Sequence, residues 1–363
     1  MKRRVLTVAV TGMNARPDNP GPGLAVARCL KEAHGLDVRV IGLSYDAFDP
    51  GLYLPEMCDA AYLLPYPSAG EETFTARLSQ LHARERFEVL IPCLDAELPV
   101  FARLAPMLAE WGIRMAVPAP QQLQMRAKDR LQELAQGAGI AAPETYSVFR
   151  ESFFHTCAAE GFSYPLVVKG LFYDAKIAHT PDEAVSAFHR IVGAWGLPVL
   201  AQKMVPGEEI NLAGLGDGNG KLIAAVMMKK RALTDKGKAW AGVTIEDPAL
   251  LAAAARLVAA TNWRGPLEVE VMCGQDGKMY LIEINPRFPA WIYLSAGAGM
   301  NLPEALVKLA LGEPQTDLPP VPAGVMFIRY AWDTIVTLQN FEAIVTGDGL
   351  FTRSGSNKRK KNA

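Results

Sequence analysis

Two short stretches in the last third of the chain carry residue types suited to metal binding. Residues 268–271 read Glu-Val-Glu-Val, and residues 280–288 read Tyr-Leu-Ile-Glu-Ile-Asn-Pro-Arg-Phe. In both, polar residues alternate with apolar ones, which predicts β-strands with one buried face and one outward face. Glu283 and Asn285 would share the outward face of the second strand. Arg287 follows two residues after Asn285.

An Asp-Gly pair at 276–277 separates the two stretches and predicts a β-hairpin with a two-residue turn. In that register Glu270 lies opposite Glu283. Glu268 then lies opposite Asn285, and all four side chains share one face. The apolar residues would face the other way, namely Val269, Val271, Ile282 and Ile284.

Directly opposed carboxylates destabilise a sheet, because at about 5 Å and an effective dielectric near 20 they repel by roughly 3 kcal/mol. A Mg²⁺ ion relieves this repulsion, since it binds one or two protein carboxylates together with substrate phosphate oxygens. The hairpin therefore predicts a Mg²⁺ site. The alternative is a solvated sheet face with water between the acids.

The elements that must position this hairpin begin with an α/β region. Strand-like and helical patterns alternate up to residue 118, which predicts a parallel sheet with right-handed crossovers. The loop at 17–23 follows the first strand, where phosphates often bind. It lacks the GxGxxG and GxxxxGK[ST] patterns, so we interpret it as a turn or a substrate-facing edge. From residue 119 the pattern changes to antiparallel hairpins covered by helices.

The composition is that of a globular protein, with 363 residues, half of them apolar, and a net charge of −1. This charge gives no basis for bulk attraction to nucleic acid or to a membrane surface. The apolar run Val5–Val10 is too short to span a membrane. Five cysteines without a CxxC pair favour reduced thiols and a cytoplasmic protein.

If Mg²⁺ serves a nucleotide, cations for the phosphates are expected upstream of the hairpin. Lys169 ends an apolar strand, and Arg130 opens a helix. Each alone is more often a solvated surface residue. Residues 201–209, AQKMVPGEE, come at the end of an apolar strand. The backbone of such a segment can contact adenine, and the glutamate that follows can contact the ribose hydroxyls.

Together and in this order, these pieces resemble the ATP-grasp superfamily, closest to the carbamoyl-phosphate synthetase and biotin carboxylase branch. The most specific piece is EVEV…YLIEINPR, which is similar to the metal-binding hairpin of that family. The resemblance implies an α/β, Rossmann-like parallel-sheet domain before an α+β ATP-grasp fold. The implied boundaries are 1–118 for the pre-ATP-grasp domain, 119–205 for the small subdomain, 206–312 for the metal-binding subdomain and 313–363 for an extension with a disordered basic tail.

The resemblance also implies ligands for ATP and its cation. Glu270, Glu283 and Asn285 would hold one or two Mg²⁺ ions, with Mn²⁺ as an alternative. Lys169 and Arg130 would hold the ATP phosphates, and Lys128 is a rival to Arg130. The adenosine pocket would be lined by Gln202, Lys203, Val205 and Glu209.

Two further cations have roles implied by the resemblance. Arg287 would face the transferred phosphate or the acyl intermediate. Lys176 would contact phosphate from the segment 170–180, which has a single glycine where the family usually has a glycine-rich lid. This departure puts closure of the lid in question.

The activity implied is an ATP-dependent carboxylate–amine, or carboxylate–thiol, ligase that forms an acyl phosphate and releases ADP and phosphate. A bicarbonate-activating carboxylase and a non-catalytic ATP-binding regulator are the alternatives, and an oxidoreductase is the weakest. Small-molecule substrates are expected near residues 11–21, 93–97 and 287–297. Asp95 and Glu97 are candidates for a substrate amine or for structural capping. A homodimer is implied at the family level only.

Overall fold

The computed structural model describes residues 4–171, 174–314 and 320–351. The chain divides into two compact units. The first unit contains residues 1–117, 230–245 and 286–363, and the second contains residues 118–229 and 246–285. The subdomain boundaries at 118, 205 and 312 stay a prediction, and the basic tail lies outside the described residues. No helix in the described ranges is long and apolar enough to cross a membrane.

The first part of the first unit alternates strands and helices as predicted. Its elements are β1 Val5–Val10, α1 Gly23–Lys31, β2 Asp37–Ser44, β3 Ala60–Leu63, α2 Glu71–Glu85, β4 Val89–Ile91 and α3 Leu98–Glu110, with short 3₁₀ turns at Pro50–Tyr53 and Pro67–Ala69. The strand order is β3-β2-β1-β4 and all these pairs are parallel. The predicted α/β region is therefore confirmed.

Two details of this region differ from the sequence prediction. The run Ile113–Pro118, predicted as a strand, forms only a single bridge between Arg114 and Val89. Strand β3 was not predicted because its four residues lie between turns and are too short to show a period. All four are buried or half-buried, as expected of a strand in a covered parallel sheet.

Residues 118–285 form the predicted antiparallel region. Its elements are α4 Pro120–Met125, α5 Leu131–Gly137, β5 Thr145–Val148, α6 Phe153–Thr156, a 3₁₀ turn Cys157–Glu160, β6 Leu166–Gly170, β7 Ala175–Ala178, α7 Pro181–Trp195, β8 Val199–Lys203, β9 Gly207–Asp217, β10 Leu222–Leu233, β11 Ala239–Thr244, α8 Pro248–Thr261, β12 Arg264–Gly274 and β13 Met279–Asn285. The shift from parallel to antiparallel strands is confirmed.

The smaller sheet of the second unit has the strand order β5-β8-β6-β7. Helix α7 covers one face of it, and the helix begins where the Thr180 hydroxyl accepts a hydrogen bond from the Glu183 backbone N–H. The buried residues of α7 recur at helical spacing and pack on Val168 and Ala201 of the sheet. The other face of this sheet carries Lys169.

The larger sheet of the second unit is built around β12. Strand β12 pairs with β9 on one side and with β13 on the other, and β9 also pairs with β10. Helix α8 begins at Asp247, whose carboxylate accepts a hydrogen bond from the Leu250 N–H. This sheet carries the predicted metal-binding hairpin.

The hairpin has the predicted pairing but a different turn. Glu270 lies opposite Glu283, and Glu268 lies opposite Asn285. The predicted two-residue turn is wrong, because the Gly274 N–H donates to the Lys278 carbonyl and leaves three residues in the loop.

A bulge between Glu270 and Val271 compensates for the extra loop residue. Because of the bulge, the pairing of β13 before Glu283 is shifted by one residue. Leu281 is therefore buried in the place predicted for Ile282, and Ile282 is half-buried. The two one-residue offsets cancel before the acidic residues are reached.

The end of the first unit contains α9 Tyr293–Gly297, α10 Leu302–Ala310, β14 Met326–Ile328, α11 Leu338–Val345 and β15 Leu350–Phe351. Strand β14 pairs with β11, and β15 adds antiparallel to β3 at the edge of the parallel sheet. The strand-like run predicted at 325–332 is therefore a strand over three of its residues.

Candidate functional site

Four polar residues of β12 and β13 form an acidic cluster, defined as Glu268, Glu270, Glu283 and Asn285. The Asn285 Nδ2 donates to Glu268 Oε2 and to Glu270 Oε1, each at 3.0 Å. Glu268 and Asn285 are buried, although they are polar. Burial of carboxylates on a sheet face needs compensating donors or cations, and the amide of Asn285 supplies only part of that compensation.

Lys128 supplies a cation to the cluster. Its Nζ lies 3.2 Å from Glu283 Oε1, and its side chain is 13% exposed. Arg130, the alternative to Lys128, is exposed, and no hydrogen bond or ion pair joins its side chain to another residue in the described ranges. The structure therefore brings Lys128 to the acidic cluster and leaves Arg130 outside it.

Lys169 lies on the face of the smaller sheet that α7 does not cover. Its side chain is buried, and Nζ donates to Gln202 Oε1 at 3.1 Å. Gln202 is held in turn, because its Nε2 donates to the Thr145 hydroxyl at 2.9 Å. Gln202 and Thr145 are cross-strand partners, so these groups share one face.

The ionisation of Lys169 links the smaller sheet to the acidic cluster. Burial lowers the pKa of Lys169 to about 8, and the nearby Lys128 ammonium lowers it further, while Glu283 and Glu270 oppose the change. These charges act on one another at short range within the second unit. Lysines 128 and 169 thus provide two cations next to the carboxylates, which suits binding of a polyanion such as a nucleotide phosphate.

The residues present fit a cation that is bound together with a nucleotide. In the part of the chain that the structure describes, no three His, Cys, Asp or Glu side chains converge to hold a metal by themselves. The candidate ligands are two carboxylates and one amide, Glu270, Glu283 and Asn285. Mg²⁺ commonly takes one or two protein carboxylates and fills the rest of its octahedral shell with phosphate oxygens and water.

Two predicted binding lysines lie on the opposite face of the smaller sheet from Lys169. Lys176 pairs with Val168, which packs against α7, and is exposed. Lys203 forms an ion pair with Glu144 and lies 5.2 Å above the ring of Phe162. The structure does not bring these two ammonium groups together with Lys169.

The remaining predicted adenosine contacts follow β8. Val205 is half-buried in the link between β8 and β9, and Glu209 is half-buried on β9, opposite Met272. Their proposed contacts with adenosine stay predictions.

Arg287 lies in the first unit and pairs with Asp95. The Arg287 Nε donates to Asp95 Oδ2 at 3.1 Å. Glu97, the other candidate for a substrate amine, is fully buried and accepts hydrogen bonds from the backbone N–H groups of Cys93 and Leu94 at 2.8 and 2.9 Å. The Thr11 hydroxyl also donates to it, so the Glu97 side chain fixes the loop that precedes α3, although it does not cap that helix.

Comparison with known proteins shows what this arrangement is similar to. The model of a family described as "ATP-grasp in the biosynthetic pathway with Ter operon" matches residues 197–331, which contain the metal-binding hairpin. A D-alanine–D-alanine ligase of Desulfotalea psychrophila is 26% identical over 212 residues, covering 51% of this chain and 66% of that protein, slightly less than two thirds of its length. The chain is thus similar to proteins of the ATP-grasp superfamily. Its predicted resemblance to this superfamily is confirmed.

Solved structures support the ATP-grasp fold over most of the chain. The biotin carboxylase domain of Hydrogenobacter thermophilus 2-oxoglutarate carboxylase is similar with a TM-score of 0.64 and 18% identity, covering 85% of this chain and 70% of that one. An L-amino acid ligase from Bacillus licheniformis has a TM-score of 0.62 and 18% identity, covering 86% and 75%. The predicted fold class, an α/β domain followed by an ATP-grasp fold, is confirmed.

Sequence reasoning missed one polar residue beside the acidic hairpin. Asn211 on β9 is the cross-strand partner of Glu270 and is fully buried. The signal was a lone amide within the apolar run 210–215. The register of β9 against β12, which the sequence alone does not supply, shows that this amide faces the acidic cluster.

Proposed function

We propose that this ATP-grasp protein is an ADP-forming ligase that joins a small-molecule carboxylate to an amine or a thiol through an acyl phosphate. One observation carries the proposal, namely that Glu270, Glu283 and Asn285 adjoin two lysines, Lys128 and Lys169, within one compact unit. Carboxylate and amide oxygens beside fixed ammonium groups are what phosphoryl transfer from a metal-bound nucleotide requires.

The residues of the second unit divide into two groups by role. Glu270, Glu283 and Asn285 would hold Mg²⁺, or Mn²⁺, and the bound metal–ATP would supply an activated phosphoryl group. Lys169 would hold phosphate oxygens, because its buried ammonium is directed by Gln202 toward the same face. We assign the second phosphate contact to Lys128 rather than to Arg130.

Lys128 has a specific task before the nucleotide binds. In the structure its ammonium compensates the Glu283 carboxylate at 3.2 Å. If Glu283 held a divalent cation, Lys128 would be available to pair with phosphate oxygens of the nucleotide. The cluster thus keeps its charges compensated with and without ligand, which limits the cost of holding acids together in a partly buried place.

The substrates we propose are amino acids or small peptides. The names of the D-alanine–D-alanine ligase and the L-amino acid ligase support a carboxylate and an amine of this class. In the first unit, the paired Arg287 and Asp95 offer a cation for a carboxylate and an anion for an ammonium group. Arg287 would also face the transferred phosphate. The proposed adenosine pocket keeps Gln202, Lys203, Val205 and Glu209.

We also propose a cytoplasmic location, which the five cysteine thiols support. Homodimer formation is a family-level proposal, supported by the dimer named for the Hydrogenobacter thermophilus biotin carboxylase domain.

The test is an ADP-release assay with Mg²⁺ and ATP against pooled amino acids, with hydroxylamine present to trap the acyl phosphate as a hydroxamate. We expect substrate-dependent ADP release and hydroxamate formation, both lost in Glu283→Gln. Glu160→Gln, an exposed substitution in the same unit, serves as the matched control and should behave like wild type. ADP release that depends on bicarbonate and gives no hydroxamate would favour the carboxylase alternative. Nucleotide binding without turnover on any pool would contradict the proposed ligase.

A further inference from the structure

Asn211 is a buried amide whose polar atoms are unsatisfied. Its side chain is fully buried, and neither Nδ2 nor Oδ1 has a hydrogen-bond partner among the described residues. Leaving a buried amide without partners costs free energy, since both groups lose their hydrogen bonds to water. A leucine has the same branching, with methyl groups in place of the amide oxygen and nitrogen, and lacks that cost, so burial alone does not account for asparagine at this position.

The register of the larger sheet places Asn211 in one row with the acidic cluster. Met228 on β10 pairs with Asn211 on β9, and Asn211 pairs with Glu270 on β12. Glu270 pairs in turn with Glu283 on β13. Residues that pair directly across neighbouring strands point to the same face. The amide of Asn211 is therefore flanked by the buried, apolar Met228 on one side and by Glu270 on the other.

The donor group of Asn211 does not serve the neighbouring carboxylate. Asn285 Nδ2 supplies the hydrogen bond to Glu270 Oε1 at 3.0 Å, while Asn211 Nδ2 makes none to the described residues. What Asn211 adds to the row is an uncharged oxygen donor beside Glu270. Amide oxygens are among the hard ligands that divalent cations of this class accept.

We infer that Asn211 is a further protein ligand of the divalent cation, through Oδ1, at the site formed by Glu270, Glu283 and Asn285. This inference rests on the proposed function, because it takes the cation to bind there. Without the cation, the unpaired buried amide of Asn211 lowers the stability of the protein. This cost would be offset only when Oδ1 binds the cation. Such a trade of stability for binding is common at functional sites.

The first experiment measures the stability of the ligand-free protein. Asn211→Leu replaces an unsatisfied amide by an apolar side chain of the same branching, so we expect the midpoint of urea unfolding to stay equal or rise. Asn219→Ala, which removes an exposed amide in the β9–β10 turn, is the matched control for loss of an asparagine. A clear drop in the midpoint for Asn211→Leu alone would assign Asn211 a structural role and overturn the inference.

The second experiment measures Mn²⁺ binding in the presence of ADP, from the decrease of the free Mn²⁺ signal in electron paramagnetic resonance. We expect Asn211→Leu to weaken Mn²⁺ binding by roughly 10- to 100-fold, the loss typical when a supporting group of a metal site is removed. Asn211→Asp keeps an oxygen at the position, so its Mn²⁺ affinity should equal or exceed that of wild type.

The outcomes separate this inference from the proposed function. If wild type binds Mn²⁺–ADP and Glu283→Gln weakens it while Asn211→Leu does not, Asn211 is no ligand and the proposed function stands. If Asn211→Asp binds as weakly as Asn211→Leu, the assignment to Oδ1 is wrong. If wild type fails to bind Mn²⁺–ADP at all, both the proposed function and the inference fall.

Discussion

The buried ammonium of Lys169 gives the protein a measurable pH dependence. Its pKa is about 8, against 10.5 for an ordinary lysine, mainly because burial disfavours the charged form. Between these two values the unfolded chain binds a proton that the folded chain has released. The free energy of unfolding therefore rises as the pH increases from about 8 to 10.5. Lys169→Met should remove this rise.

Linkage sets the size of the effect. With one group at a pKa of about 8 when folded and 10.5 when unfolded, wild type gains about 2 kcal/mol between pH 7 and pH 9.5 relative to Lys169→Met. Urea unfolding of both proteins at several pH values measures the difference. Lys221→Met, at the exposed β9–β10 turn, is the control and should follow wild type. Parallel stability curves for wild type and Lys169→Met would refute the reasoning.

The same residue predicts a proton linkage in nucleotide binding. Phosphate oxygens next to Lys169 would favour its charged form and raise its pKa of about 8, so Mg²⁺–ADP binding at pH 8 should take up about half a proton. Affinity should then fall as the pH rises through 8. Titration calorimetry in two buffers of different ionisation enthalpy measures the proton uptake. If Lys169→Met takes up the same amount of proton on binding, another group is responsible.

Three further predictions concern single substitutions. Lys128→Ala should weaken Mg²⁺–ADP binding by roughly 10- to 100-fold, which is the affinity lost with one charge-assisted hydrogen bond. Arg130→Ala should leave the affinity nearly unchanged in the same calorimetric titration. Glu97→Ala should lower the free energy of unfolding by about 3 kcal/mol or more in urea, because it leaves several buried donors without a partner. Gly277→Ala should cost about 1 kcal/mol in thermal unfolding, because Gly277 has a φ of 77° in otherwise open space, and an unchanged midpoint would contradict the strained loop.

The hairpin shows how far the sequence determines this site. The alternation of polar and apolar residues identified both strands, and the pairing of Glu270 with Glu283 is confirmed. The sequence did not reveal that the loop has three residues or that a bulge follows Glu270. Each error shifts the register by one residue, and the two cancel. A single unrecognised offset would have moved the acids to opposite faces.

Other parts of the site depend on three-dimensional packing that no local pattern encodes. Lys128 and Arg130 are two residues apart, and only the turn between α4 and α5 decides which of them reaches Glu283. The family resemblance predicts Lys176 near the phosphates, but its pairing with Val168 places it on the other face from Lys169. Asn211 was overlooked because its relation to Glu270 comes from strands 59 residues apart in sequence.

The proposed ligase chemistry is tested most directly by the fate of a carboxylate oxygen. If the carboxylate attacks the terminal phosphorus of ATP and the acyl phosphate is then cleaved at its acyl carbon, one carboxylate oxygen leaves with the phosphate. The experiment supplies amino acids labelled with ¹⁸O in the carboxylate, with Mg²⁺ and ATP in unlabelled water, and measures the released phosphate by mass spectrometry. The account predicts one ¹⁸O in each phosphate released in the coupled reaction. Unlabelled phosphate released together with a ligated product would contradict it.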